Sequence, residues 1–378
     1  MQTQTEMKVP YGYLPQEYAA NRGDIDEVLE KIRQCVEKGD FTLGDPVGEF
    51  EEAFAQVTGY AHAVAVNSGT DALFLAMKAM GVGYGNYVVT VPNTFVATVG
   101  AICATRATPV FTDVGDDYLM RLNLTTEKKR KLNVGTNIYG IRYLPVELTG
   151  RPLPDDLFPW LNDQTFGPII VDSAQSIGSK APQIKDIATY SLHPLKNVHV
   201  WGDGGVVCTN HREMADAIRL TRNHGLRTRD EAALPGYNSR LDSVQAIVGL
   251  YSLRNVDWVT EQRNRHARVY DEALRGCEGV TLPPRSAGIT EAFHTYVVQV
   301  DDRAHLIDRL LSKGIDAKVH YPIPLHLQPA FRHLGYEAGD LPVAEAQAKR
   351  ILSLPVHEYL AEGQIEYVVE TIRAFYAS

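Results

Sequence analysis

From His62 onward the chain alternates short apolar runs with helical patterns, and polar or glycine-containing turns separate the two. His62–Val66 reads as a strand, Asn67-Ser68-Gly69-Thr70 as a turn and Asp71–Met80 as a helix. Tyr87–Val91 is the next strand, followed by Pro92-Asn93-Thr94 and a helix over Phe95–Ala104. Pro109–Thr112, Ile169–Val171, Ala188–Ser191 and Val206–Thr209 are further apolar strand candidates. Strands that alternate with helices in this way predict an α/β fold on a mostly parallel sheet.

The flanking segments set the expected domains. Asp24 and Glu27 are spaced as a capping box, and Ile25, Val28, Leu29, Ile32 and Val36 recur at helical spacing up to a stop at Gly39. A second helix carries Phe50, Ala53, Phe54 and Val57 and stops at Gly59. Asp242 to about Arg275 reads as one long helix. After it come a strand (Thr295–Val300), a helix (His305–Lys313), a proline-rich connection (Tyr321–Pro329) and two closing helices. The expectation is a large α/β domain over residues 23–250 and a smaller α+β domain over 251–378. Residues 1–22 have no clear period and are expected to pack on the smaller domain; residues 114–165 have a weak pattern.

Composition narrows the function classes. With 37 basic and 46 acidic residues the formal charge is −9, which disfavours a polyanion such as nucleic acid as partner. Two stretches run against that balance: Arg121 with Lys128–Lys131, read as solvated surface, and Arg219, Arg222, Arg227 and Arg229. The four cysteines are far apart, without a C-x-x-C pair, which fits reduced thiols rather than zinc or disulfides. No apolar run reaches about 18 residues, and the first residues lack the pattern of a secretory leader. A cytoplasmic protein with no membrane partner is therefore expected.

Parallel α/β sheets bind ligands at the carboxyl ends of their strands, so the polar residues there are the candidates. The turn after the first strand, Ser68-Gly69-Thr70, opens a helix and could offer backbone N–H groups to a phosphate. Asp172 ends another strand and could cap a helix or face a cationic ligand atom. After Ser191 comes Lys196, set among glycine and aromatic residues. A desolvated lysine loses its proton readily and forms Schiff bases. A phosphate turn, a strand-end aspartate and such a lysine are together the parts needed to hold pyridoxal phosphate. Lys196 would take the aldehyde, Asp172 the pyridine nitrogen, the Ser68–Thr70 turn and Ser191 the phosphate, and Phe95 one face of the ring.

At these residues the chain resembles the DegT/DnrJ/EryC1/StrS aminotransferases, the sugar and aminocyclitol branch of the fold-type I pyridoxal-phosphate enzymes. The resemblance runs through Asn67-Ser68-Gly69-Thr70-Asp71, Pro92-Asn93-Thr94-Phe95, Asp172-Ser173-Ala174-Gln175 and Ser191-Leu192-His193-Pro194-Leu195-Lys196-Asn197. It continues through Gly236-Tyr237-Asn238-Ser239-Arg240 and His320-Tyr321-Pro322-Ile323-Pro324-Leu325-His326. It implies Lys196 as Schiff-base lysine and proton carrier, Asp172 on the ring nitrogen, Gln175 near the ring hydroxyl and Phe95 stacked on the ring. It further implies Gly69, Thr70 and Ser191 as phosphate ligands. Asn238 would reach the phosphate of a partner subunit, so the resemblance implies a homodimer with shared active sites. Tyr321 and His326 match a loop lining the sugar site; His326 reads equally as a packing residue of that loop.

One stretch departs from the pattern: Glu147 and Thr149 stand where relatives commonly have His and Tyr, and Leu122–Tyr143 differs as well. The activity implied is amino transfer, through pyridoxamine phosphate, from glutamate or glutamine to a keto sugar, in particular a nucleotide-linked keto-deoxysugar. A keto cyclitol or a free or phosphorylated keto sugar is the alternative acceptor. Sugar dehydratases of this type carry His in place of the lysine, so Lys196 argues against that reaction. A ligand sensor on the same fold would not need the Lys196–Asp172 pair. Neither H-E-x-x-H nor G-x-x-x-x-G-K-[ST] occurs, against a metalloenzyme or a nucleotide hydrolase.

Overall fold

The computed structural model describes residues 7–121, 141–154, 157, 168–180 and 186–377. Its central sheet contains β1 (His62–Val66), β2 (Tyr87–Thr90), β3 (Thr108–Phe111), β4 (Ile141–Tyr143), β5 (Ile170–Asp172), β6 (Ile187–Ser191) and β7 (Gly205–Thr209). The strands pair in two groups, β3-β2-β4 and β5-β6-β7-β1. A parallel bridge between Val146 and Asp172 joins them beyond the end of β4. Only β7 runs against its neighbours, pairing antiparallel with both β6 and β1. The sheet is therefore mainly parallel, as the alternating pattern predicts.

Both faces of the sheet are covered, which is why the strand interiors are largely apolar on both sides. Val64, Val66, Ile187 and Val207 face one core, with Ala72, Leu75 and Ile102 from the helices Gly69–Ala79 and Val96–Ala104. Ala63, Ala65, Ala188, Tyr190, Val206 and Cys208 face the other, with Val28, Phe50, Phe54 and Val248. Those come from the helices Arg22–Lys38, Asp45–Thr58 and Ser243–Arg254. The smaller antiparallel sheet, order β10-β9-β8, comprises β8 (Val280–Thr281), β9 (Tyr296–Val300) and β10 (Ile351–Leu354). Its core gathers the helices Val256–Leu274, Arg303–Ser312 and Gln364–Tyr376.

Several boundaries differ from the sequence expectation. The first long helix begins at Arg22, so Asp24 sits in its first turn and caps nothing. A short helix, Leu14–Ala20, feeds directly into it; only Glu17 is buried there, so no apolar period announces it. The long pattern from Asp242 is two helices, broken at Asn255, whose ψ of 2° lies outside the helical range. β10 lies between the two closing helices and was not expected. Of the basic stretches, Lys128–Lys131 lies outside the described residues. In the other, Arg222 is buried against Glu51, and Arg219 lies 3.5 Å from the same carboxylate. Half of that stretch thus has an internal partner rather than facing solvent. Among the described residues, no helix is long and apolar enough to cross a membrane.

The sheet and the smaller layer are tied by a cap supplied from a distance. Asp113, just beyond β3 and 2 % exposed, accepts the N–H groups of Val343 and Ala344, each at 3.0 Å, at the start of the helix Pro342–Arg350. Gln347 of that helix donates to the Gly115 carbonyl at 2.8 Å. Replacing Asp113 by Ala removes the acceptor of both helix N–H groups and of the Val114 N–H, and should cost about 1–2 kcal/mol. A fall in the urea midpoint equal to that cost divided by the slope, with the slope itself unchanged, is the expected result.

Candidate active site

A cavity of about 380 Å³ opens at the carboxyl ends of the strands, where the chain leaves β1, β2, β5 and β6. Ser68, Gly69 and Thr70 come from the end of β1, and Thr94, Phe95 and Thr98 from beyond β2. Asp172 and Gln175 follow β5, and Ser191, His193 and Lys196 follow β6. His294, His320 and Tyr321, from later segments of the chain, complete the lining.

Each wall has a local cause. Ser68 caps the helix Gly69–Ala79, its hydroxyl accepting from the Asp71 N–H at 3.1 Å. That leaves the Gly69 and Thr70 N–H groups at the open end of the helix without intrahelical partners. Gly69 cannot be replaced easily, since a Cβ there would lie 2.6 Å from the Ser191 Cβ. Gly205 is tighter still: its Cβ would meet the Ser68 carbonyl oxygen at 2.2 Å. The two glycines let β1, β6 and β7 converge on a small cradle of N–H and hydroxyl groups.

Asp172 forms the floor and is 5 % exposed. Thr98 donates to its Oδ2 at 2.7 Å, and the Ala174 N–H donates to Oδ1 at 3.2 Å. Thr94 and Thr98 share a hydroxyl contact of 2.7 Å, one helical turn apart. Burial pushes the Asp172 carboxyl up, and the hydrogen bonds from Thr98 and Ala174 with the Lys196 charge oppose it. Lys196 moves the other way. Burial brings its amine down to about 8, and the Asp172 carboxylate limits the fall. Desolvation also holds His320 down at about 4 and His294 well below the usual imidazole range, with the Lys196 charge adding to both. Tyr321 is raised to about 12, chiefly by burial.

Gln175 accepts the Thr149 N–H at Oε1 over 2.7 Å, and its side chain also hydrogen-bonds Tyr321 at the cavity wall. Phe95 is 54 % exposed, with its ring centroid 5.7 Å from that of Tyr321. The structure therefore brings Lys196, Asp172, Gln175, Ser191, Gly69, Thr70, Phe95 and Tyr321 to one cavity. It does not bring Asn238 or His326 there. Asn238 is exposed, on a surface segment paired with Asn223. His326 is buried beside Phe111 and Tyr336 with Nε2 3.0 Å from Glu345, which is its packing reading.

Thr98, His294 and His320 line the cavity without having been singled out from the sequence. The Thr94/Thr98 spacing of one turn and the adjacency of His320 to Tyr321 were the available signals; His294 had none. Glu147, in the divergent stretch, is fully buried. It accepts from the Ser173 hydroxyl at 2.9 Å, from Ser176, and from the Leu153 N–H at 3.1 Å. It thus braces the turn that follows Asp172. Leu122–Gly140 lies outside the described residues.

The residues fit pyridoxal phosphate. A buried carboxylate suits a protonated ring nitrogen, the glycine cradle suits a phosphate, and His294, which lines the cavity, carries a buried Nδ1 with no hydrogen-bond partner. Fold and site together define a pyridoxal-phosphate-dependent aminotransferase. The sequence model of the DegT/DnrJ/EryC1/StrS aminotransferase family matches residues 23–373, and the chain belongs to that family. It is 36 % identical to a pleiotropic regulatory protein of Geobacillus stearothermophilus, over 98 % of this chain and 99 % of the relative. It is 33 % identical to the dTDP-3-amino-3,4,6-trideoxy-alpha-D-glucose transaminase of Streptomyces venezuelae, over 97 % and 96 %. The crystal structure of a DegT DnrJ EryC1 StrS aminotransferase from Brucella abortus superposes with a TM-score of 0.90 at 32 % identity, covering 98 % of this chain and all of that one. The protein is a sugar aminotransferase.

The Lys196 amine should control cofactor capture, because only the free amine attacks an aldehyde. Rates of pyridoxal phosphate uptake by the apoprotein should rise with a midpoint near pH 8. Asp172→Asn removes the charge that favours the ammonium form, so the midpoint should move to lower pH. Stopped-flow absorbance against pH measures both.

Proposed function

We propose that the chain transfers an amino group from glutamate or glutamine to a nucleotide-linked keto-deoxysugar, with Lys196 as its catalytic residue. The observation that carries this reading is the buried Asp172 carboxylate and the half-buried Lys196 lining one cavity with the Gly69 cradle, each feeling the other's charge. Pyridoxal phosphate supplies an electron sink for the carbon that loses or gains the amine. Asp172 would hold the ring nitrogen protonated and Gln175 would orient the ring hydroxyl. Phe95 would cover one ring face, and Gly69, Thr70 and Ser191 would bind the phosphate. Lys196 Nζ would hold the aldehyde, and an amine near 8 can take up and return a proton close to neutral pH.

The acceptor class is supported by the named relatives. The Streptomyces venezuelae relative is named for a dTDP-sugar, and a 34 % identical relative from Acidithiobacillus ferrooxidans for a UDP-sugar. Tyr321, which lines the cavity, would contact the sugar in this reading. The working unit in this reading is a homodimer. Phe95 and Leu195 of the cavity lining, and Trp201 and Tyr237 elsewhere on the surface, are each 40 % or more exposed. A second copy would cover them, and its Asn238 would reach the phosphate. Within each copy, residues 23–250 carry the cofactor and residues 251–378 form the smaller domain.

Purified protein mixed with pyridoxal phosphate should gain the visible absorption of a lysine-bound cofactor. Lys196→Ala should lose that band and lower turnover at least about a thousandfold. Product masses should show an amine on dTDP- or UDP-linked keto sugars, with glutamate or glutamine as donor. Amination confined to free sugars or to keto cyclitols would count against the nucleotide-linked acceptor.

A further inference from the structure

Glu17 is the only buried residue of the short helix Leu14–Ala20, so the face this helix turns inward is a carboxylate rather than an apolar stripe. Its surroundings show why. The Tyr13 hydroxyl, just before the helix, donates to the main-chain carbonyl of Lys196 at 3.2 Å. His199 Nδ1 lies 3.3 Å from the same oxygen. His199 Nε2 in turn lies 3.2 Å from Glu17 Oε2, a charge contact rather than an aligned hydrogen bond. All three side chains are nearly dry: Tyr13 and His199 are each 3 % exposed and Glu17 is 8 %.

A carbonyl oxygen only accepts hydrogen bonds, and it has two lone pairs. The arrangement is satisfied when Tyr13 Oη–H and His199 Nδ1–H both point at Lys196. That orientation turns Nε2 toward the Glu17 carboxylate, 3.2 Å away. The other side of Lys196 is held as well, since its N–H donates to the His193 carbonyl at 2.8 Å. Both peptide groups of the lysine are thereby fixed, and only its four-carbon stem is left to move. Simple packing would not need these polar groups, because apolar side chains fill buried space without the cost of desolvation.

Tyr13 itself is gripped from the smaller domain. Its ring stacks on His357 at 5.3 Å and on Tyr359 at 5.9 Å. The Arg263 guanidinium lies 5.3 Å from the ring centroid. Arg263 is paired with Glu358 at 2.7 Å and donates to the carbonyls of Phe293 and His294 at 3.1 and 3.2 Å. His294 lines the cavity opposite. One buried cation therefore touches both the ring behind Lys196 and the backbone of the facing wall.

We propose that Tyr13, His199 and Glu17 clamp the Lys196 carbonyl and are positioning residues for amino-group transfer. The proposal rests on Lys196 being the cofactor lysine. During turnover the amine must leave the cofactor and return to it, and a main chain that cannot shift keeps it within reach.

The test uses the full-length Tyr13→Phe, His199→Leu and His199→Asn variants. An asparagine amide can place Nδ2 near the position of the histidine Nδ1, so this variant can restore the donor. Tyr13→Phe and His199→Leu should lower the rate constant for pyridoxal phosphate capture by the apoprotein about five- to tenfold. The holoenzyme kcat should fall by a similar factor with both KM values unchanged, and the thermal midpoint should stay near wild type. His199→Asn should recover most of both rates. Capture rates and kcat equal to wild type would overturn the clamp, as would losses that follow the thermal midpoint and are not recovered by Asn. In either case loss of the visible band in Lys196→Ala would leave that lysine assigned. A band that survives Lys196→Ala would overturn the lysine assignment and the clamp with it.

Discussion

Asp172 is a carboxylate almost removed from water, and such a group persists only if its surroundings supply donors or cations. The parallel register of β5 on β6 sets Asp172 opposite Thr189, two residues before Ser191 and a short turn before Lys196. That register helps bring a lysine seven residues further along into the same cavity, within electrostatic reach of the carboxylate. Thr98, from the helix after β2, and the Ala174 N–H of its own turn complete its hydrogen bonds. Glu147 holds the turn behind it through Ser173 and Ser176. The pair also explains opposite shifts in one cavity, since burial raises the acid, lowers the amine, and their mutual attraction opposes both.

Most of the fold was legible because the central strands are apolar on both faces and end in polar turns. His62–Val66 was readable to the residue, since a glycine-containing turn follows it directly. The polar inner face of Leu14–Ala20 hid that helix, and the kink at Asn255 hid a break inside one continuous period. β10 was hidden by its length of four residues between two helices. At the site, residues at strand ends were found by position along the chain. His294 and His199 were not, because their meaning depends on contacts with segments distant in sequence. His326 shows the reverse case, a motif residue that the fold turns into the core beside Phe111.

The acidic total of −9 and a phosphate site are compatible for a structural reason. Among the described residues lining the cavity, the cradle at Gly69 offers N–H groups and hydroxyls, and none of those lining residues is an arginine. Local donors replace net charge. The reverse holds at Arg222, which looks like part of a basic surface in the sequence yet neutralises Glu51 between β1 and the helix Asp45–Thr58. Charge counts along the chain therefore misplace both features, while burial assigns them.

The reversed direction of β7 bears on how this molecule is made. β1 has β7 as its strand partner, and β7 begins only at Gly205. On the ribosome, the apolar segment His62–Val66 must wait through the synthesis of well over a hundred further residues before its edge can be paired. Contacts this distant in sequence slow folding, and an unpaired apolar edge is where nascent chains associate wrongly. The helices Arg22–Lys38 and Asp45–Thr58 are already translated by then and can shelter one face of β1, but not its edge. Chain release and chaperone access, more than final stability, would then govern the yield of folded enzyme.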